Sequence, residues 1–202
     1  MKASTWVILA ATAALFAGCV VTSVYPFYTQ KDLIFETALL GKWVNTNNED
    51  EMWRFKNAGD LEYRVTLMDA RQTTVMEAHS FKLHEVLFLD MFSLEQDFHV
   101  VPAHYLLKVT QLSPTLRMSE LNDEWLKALL FTEPTALKHI LVGKSDKPEE
   151  RRVVLTADTQ ELQQFVTKHL NTAGAWRQNF ELTRDPVGKS RFAQVPTQSA
   201  SQ

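Results

Sequence analysis

The chain of 202 residues carries 21 Lys and Arg against 24 Asp and Glu, a formal net charge of −3, with 45% hydrophobic and 22% charged residues. That balance suits one globular domain around a single core and excludes wholesale disorder and a polytopic membrane protein. A slightly acidic surface gives nucleic acid nothing to bind. With only six glycines and no G-x-G-x-x-G or G-x-x-x-x-G-K-[ST] pattern, nucleotide phosphates also lack their usual cradle.

The N-terminus has the layout of a secretory signal: Met1-Lys2 is a short positive start, Trp6 to Ala17 is apolar, and Phe16-Ala17-Gly18-Cys19 closes the run with small residues before the only cysteine. This closing segment resembles the lipobox of bacterial lipoproteins. There the cysteine thiol takes a diacylglycerol, the preceding peptide bond is cut and the new amine is often acylated, with palmitate a typical chain. The resemblance implies a signal peptide over 1–18, cleavage between Gly18 and Cys19, and lipidation of Cys19. Two or more acyl chains would hold the protein on a membrane, whereas one alone binds reversibly. Val20 after the cysteine implies, by resemblance to enterobacterial lipoproteins, sorting to the outer membrane with the domain facing the periplasm. The alternatives are an uncleaved anchor, since no charge occurs between Lys2 and Lys31, and an ordinary cleaved signal. Outside Cys19 no thiol remains for a disulfide, a cysteine nucleophile or a Cys-ligated metal.

Residues 19–32 read as the lipidated cysteine and a tether, uncharged as far as Gln30 and with three aromatics, and the domain is expected over 33–185. From Gly41 to Thr110 the apolar period is two, the pattern of half-buried strands. Trp53 and Phe55 flank Arg54; Leu61, Tyr63, Val65 and Leu67 share one face, and Asn57-Ala58-Gly59-Asp60 is turn material. Val75 to Leu83 alternates again. Val86 to Phe92 is an almost unbroken apolar run, expected as a central strand covered on both faces. Tyr105, Leu107 and Val109 follow, and Ser113-Pro114 turns the chain into Leu116 to Leu121.

Two helices come late. Asn122 is a good N-cap, Asp123 and Glu124 suit the first turn, and Trp125, Leu126, Leu129 and Leu130 lie on one face, which predicts a helix near 122–133 stopped by Pro134. Leu137 to Val142 and Arg152 to Thr156 are short strands joined by the solvated hairpin tip Ser145 to Arg152. Asp158 with Glu161 makes a capping box, and Leu162, Phe165, Val166 and Leu170 form the apolar stripe of a second helix over 158–171. Asn179 to Thr183 is the last strand, and 186–202, with two prolines and a polar end, is expected to be disordered. The fold class is therefore mainly β: an antiparallel meander of about ten strands curling into a barrel, with two late helices.

Leu40-Gly41-Lys42-Trp43 resembles the G-x-W start of lipocalin-like barrels, in which the tryptophan plugs the closed end. The series Phe88-Leu89-Asp90, Val101-Pro102-Ala103-His104, Asp123-Glu124-Trp125-Leu126 and Leu155-Thr156-Ala157-Asp158-Thr159-Gln160-Glu161-Leu162 is similar to a family of bacterial lipoproteins of unassigned function. The first resemblance implies a calyx for small apolar molecules; the second brings no catalytic residues.

Among candidate chemistry, Asp90 within an apolar strand and His104 in the next are expected to form a structural polar pair, because a mutual hydrogen bond is the least costly way to bury both. The same two residues are the one place for a hydrolase-like enzyme, with Asp90 as an acid of raised pKa. No G-x-S-x-G occurs, and the six histidines (79, 84, 99, 104, 139 and 169) have no metal-ligand spacing, so no catalytic residue, metal or cofactor is expected. The leading expectation is a lipid-anchored, non-enzymatic envelope protein that binds a small apolar ligand or an envelope component. The alternative is a structural or assembly lipoprotein acting through a protein partner.

Overall fold

A computed structural model describes residues 20–94, 103–147 and 150–185. The expected signal peptide 1–18, Cys19 and the tail 186–202 lie outside these residues. The strands in chain order are β1 (Thr22–Ser23), β2 (Leu33–Ile34), β3 (Gly41–Asn45), β4 (Asn48–Gly59), β5 (Glu62–Met68), β6 (Thr73–Leu83), β7 (Val86–Ser93), β8 (His104–Gln111), β9 (Thr115–Leu121), β10 (His139–Val142), β11 (Arg152–Leu155) and β12 (Trp176–Arg184). Helix α1 (Asp123–Thr132) follows β9 and helix α2 (Thr159–Lys168) follows β11. Among the described residues no helix is long and apolar enough to cross a membrane.

Strands β3 to β9 pair antiparallel in sequence order, and β12 closes the ring by pairing with both β9 and β3. The result is a closed eight-stranded antiparallel barrel. Period-two patterning builds it: Tyr63, Val65 and Leu67 on β5, Met76 and Ala78 on β6, and Leu87, Leu89 and Met91 on β7 all point into one interior cluster. Leu61 departs from the expected alternation, since it sits in the β4–β5 turn at φ 62° and is partly exposed. The two short strands β10 and β11 depart from the expected meander too. They stay out of the barrel and pair with each other, while β11 pairs parallel with β1 and β1 pairs with the start of β8.

This small wing and the helices cover one side of the barrel with a second apolar layer, in which Phe81, Phe88 and Leu106 of the barrel wall meet Leu126, Leu130, Leu155, Leu162, Phe165 and Val166. The double cover explains why β7 reads as a continuous apolar run, because its outward residues Phe88 and Asp90 are buried as fully as its inward ones. Packing also begins upstream of the expected boundary at Leu33. Val21 and Phe27 are buried in the second layer, and α2 ties down the same stretch through Thr159 Oγ1 donating to the Pro26 carbonyl (2.8 Å) and Gln163 Nε2 donating to that of Phe27 (3.0 Å).

The G-x-W segment has a physical reason. Trp43 is buried in the barrel, its Nε1 donates to the Leu39 carbonyl at 2.8 Å, and the Arg184 guanidinium from the last strand lies over its ring at 4.2 Å while donating to the Ala38 and Leu40 carbonyls. Gly41 adopts φ 121°, and a Cβ there would meet Arg184 Nη1 at 2.6 Å. Glycine is therefore favoured by its backbone conformation, and a Cβ there would also displace the arginine from the Trp43 ring.

Candidate functional site

Asp90 and His104 face outward from neighbouring strands β7 and β8, two residues out of direct register and so on the same face. His104 Nδ1 lies 2.6 Å from Asp90 Oδ1, and the Phe27 N–H donates to Asp90 Oδ2 at 2.7 Å. Asp90 is 1% exposed, and burial raises its pKa against the opposing pull of His104 and the Phe27 N–H. Both carboxylate oxygens thus engage groups that hold the fold together, joining β7, β8 and the N-terminal segment. Sequence pattern places the first two partners together. Phe27 could not be found that way, because it comes from 63 residues upstream.

The barrel interior, where a calyx would lie, is occupied by Trp43, Trp53, Phe55, Tyr63, Leu89 and Leu107, all buried. Beside this cluster a charge network reaches in from β9 and β12. The Tyr105 hydroxyl donates to Glu120 Oε2 at 2.6 Å, and Arg177 Nη2 donates to Glu120 Oε1 at 2.6 Å, with Asn179 Nδ2 donating to the same oxygen. Burial, with the Glu120 carboxylate next, pushes the Tyr105 phenol well above its usual pKa. No signal in the linear pattern marks Glu120 as buried, since its neutralising partner lies 57 residues away.

Open space lies outside the barrel. Helix α1 and the β10–β11 wing line an open cleft of about 970 Å³. Its apolar lining includes Ala128, Leu130, Phe131, Leu141 and Val153. At its polar edge Lys127 Nζ sits 3.3 Å from Asp123 Oδ2. Phe131 is 84% exposed, an arrangement with no packing benefit in the isolated chain. The apolar stripe of α1 was legible in sequence; Phe131 falls beside that stripe and reads as surface.

Comparison with known proteins adds no family to this geometry. No protein-family model, curated protein or solved structure matches the chain. What stands is the architecture, a closed eight-stranded antiparallel barrel consistent with a lipocalin-like one. The expected lipidation residues Gly18 and Cys19, together with His99, lie outside the described residues. Of the remaining histidines, His79 sits opposite Asp90 in the β6–β7 register, while His84 lies in the β6–β7 turn and His139 and His169 on separate elements.

Proposed function

We propose that this is a lipid-anchored, non-enzymatic protein of the bacterial envelope, held through acylated Cys19 at the outer membrane facing the periplasm, that binds a small apolar ligand in the cleft between α1 and the β10–β11 wing. The cleft carries the reading: its 970 Å³ and apolar walls fit a drug- or acyl-sized molecule, whereas large side chains fill the barrel interior. The N-terminal pattern supports the anchor by its resemblance to lipoprotein signals. A non-enzymatic role is supported by the use of both Asp90 oxygens in fold contacts and by the lack of a nucleophile motif in the sequence.

A photoreactive palmitate added to the full-length protein in native membrane vesicles tests the cleft. Adducts should map to α1 and β10, around Ala128, Phe131 and Leu141, and fall at least tenfold in Ala128→Trp, a substitution at an exposed wall position that fills the cleft. Adducts that ignore Ala128→Trp, or that map to the barrel interior, would contradict the reading.

One observation favours the second reading, assembly through a protein partner. Among the described residues β10 pairs only with β11, and its free edge presents Ile140 at 51% exposure and Val142 at 39%. An open edge with apolar residues can accept a partner strand.

A further inference from the structure

The outer wall of β5 and β6 gathers three side chains that linear spacing does not connect. Glu77 and His79 are two apart on β6 and so project to the same face, and the register sets Glu62 of β5 opposite His79. One donor atom from each lies within 4.8 Å of the others. We propose that Glu62, Glu77 and His79 bind a divalent transition cation of the zinc class. The site shares no residue with the α1 cleft and does not depend on ligand binding there.

Three observations carry this. First, the donor set is chemically apt: two carboxylates and an imidazole suit borderline cations such as Zn2+ or Ni2+, whereas a soft cation would need thiolates and Ca2+ or Mg2+ an all-oxygen cage. Zinc bonds of about 2.0–2.2 Å place tetrahedral donors about 3.4 Å apart, so modest side-chain rotations would close the site.

Second, the three groups are partly withdrawn from water yet weakly neutralised. Their side chains keep 26%, 29% and 14% exposure for Glu62, Glu77 and His79. Glu62 has Arg64 at 3.6 Å, and Glu77 has His79 Nδ1 at 3.7 Å, both beyond hydrogen-bond length. Asp90, opposite His79 in the β6–β7 register, is already engaged by His104 and the Phe27 N–H. A divalent cation would offset that accumulated charge far better than the long ion pairs do.

Third, the imidazole is held in place. The Tyr28 ring packs 4.8 Å from the imidazole and its hydroxyl lies 3.2 Å from His79 Nδ1, the nitrogen that also faces Glu77, so the tyrosine fixes the orientation of the ring beside the two carboxylates.

The test is calorimetric titration of zinc sulfate into chelator-stripped full-length protein. One equivalent of zinc should bind, with affinity reduced at least tenfold in Glu77→Gln and in His79→Asn and unchanged in His84→Asn. Glu62→Gln provides a third variant, and thermal unfolding of each checks that the barrel is intact. Absence of stoichiometric binding, or binding that survives His79→Asn and Glu77→Gln in folded protein, would overturn the site.

Discussion

Asp90 shows how one polar residue can set a local structure. Its two oxygens bond the Phe27 backbone and the His104 ring, so removing either side chain strands a buried polar partner at about 1–3 kcal/mol. A double-mutant cycle on unfolding with Asp90→Ala and His104→Ala should give a coupling above about 0.5 kcal/mol. Additive losses would mean that the contact does not form in solution. This pair was legible because a polar residue interrupts VLFLDMF and strand parity points it outward. Glu62, Glu77 and His79 were not, because a search for paired histidines passes over a set in which one strand supplies Glu-x-His and its neighbour the third donor.

At the scale of elements, α2 rests on a short list of side chains. Leu162, Phe165 and Val166 are buried against the barrel wall, so Phe165→Ala should cost about 3–5 kcal/mol in a denaturant titration, whereas Glu161→Ala, which loosens a surface capping box, should cost far less. Equal midpoints for Phe165→Ala and wild type would place the stripe in solvent.

The C-cap His169 packs against Phe165 and Trp125, and burial, with Lys168 adding and Glu133 opposing, lowers its pKa. The unfolded chain therefore takes up a proton before the folded one does. The stability tied to neutral His169 is present above its unfolded value of about 6.5 and is lost as pH falls through the lower folded value. Replacing it, as in His169→Gln, should flatten the stability profile between about pH 7 and 5 relative to wild type; unchanged profiles would show that the ring titrates normally.

Both helices were readable from Asn122, Asp158 and the apolar stripes, since caps and periodicity are local. The wing was not. Its pairing joins the two-residue strand β1 to chain more than a hundred residues downstream, and β10 and β11 alternate just as barrel strands do.

The whole molecule places its parts in a consistent order. The closed barrel is a packed scaffold, the second apolar layer fixes the helices to one side, and the cleft opens between that layer and the wing. Thr22, where the β1 pairing begins, follows Cys19 by three positions, a reach of at most about 10 Å. Acyl chains on Cys19 would therefore hold β1 and the wing beside it close to the membrane surface, where apolar molecules are concentrated.

Native mass spectrometry of the full-length protein released from its own membrane reads anchor and ligand together. The expected spectrum shows a chain beginning at Cys19 with the added mass of two or three acyl groups, together with a non-covalently bound apolar molecule that is missing from Ala128→Trp. A chain that begins at Met1 or carries a free Cys19 thiol, or a wild type as empty as Ala128→Trp, would contradict the lipid-anchored, ligand-binding assignment.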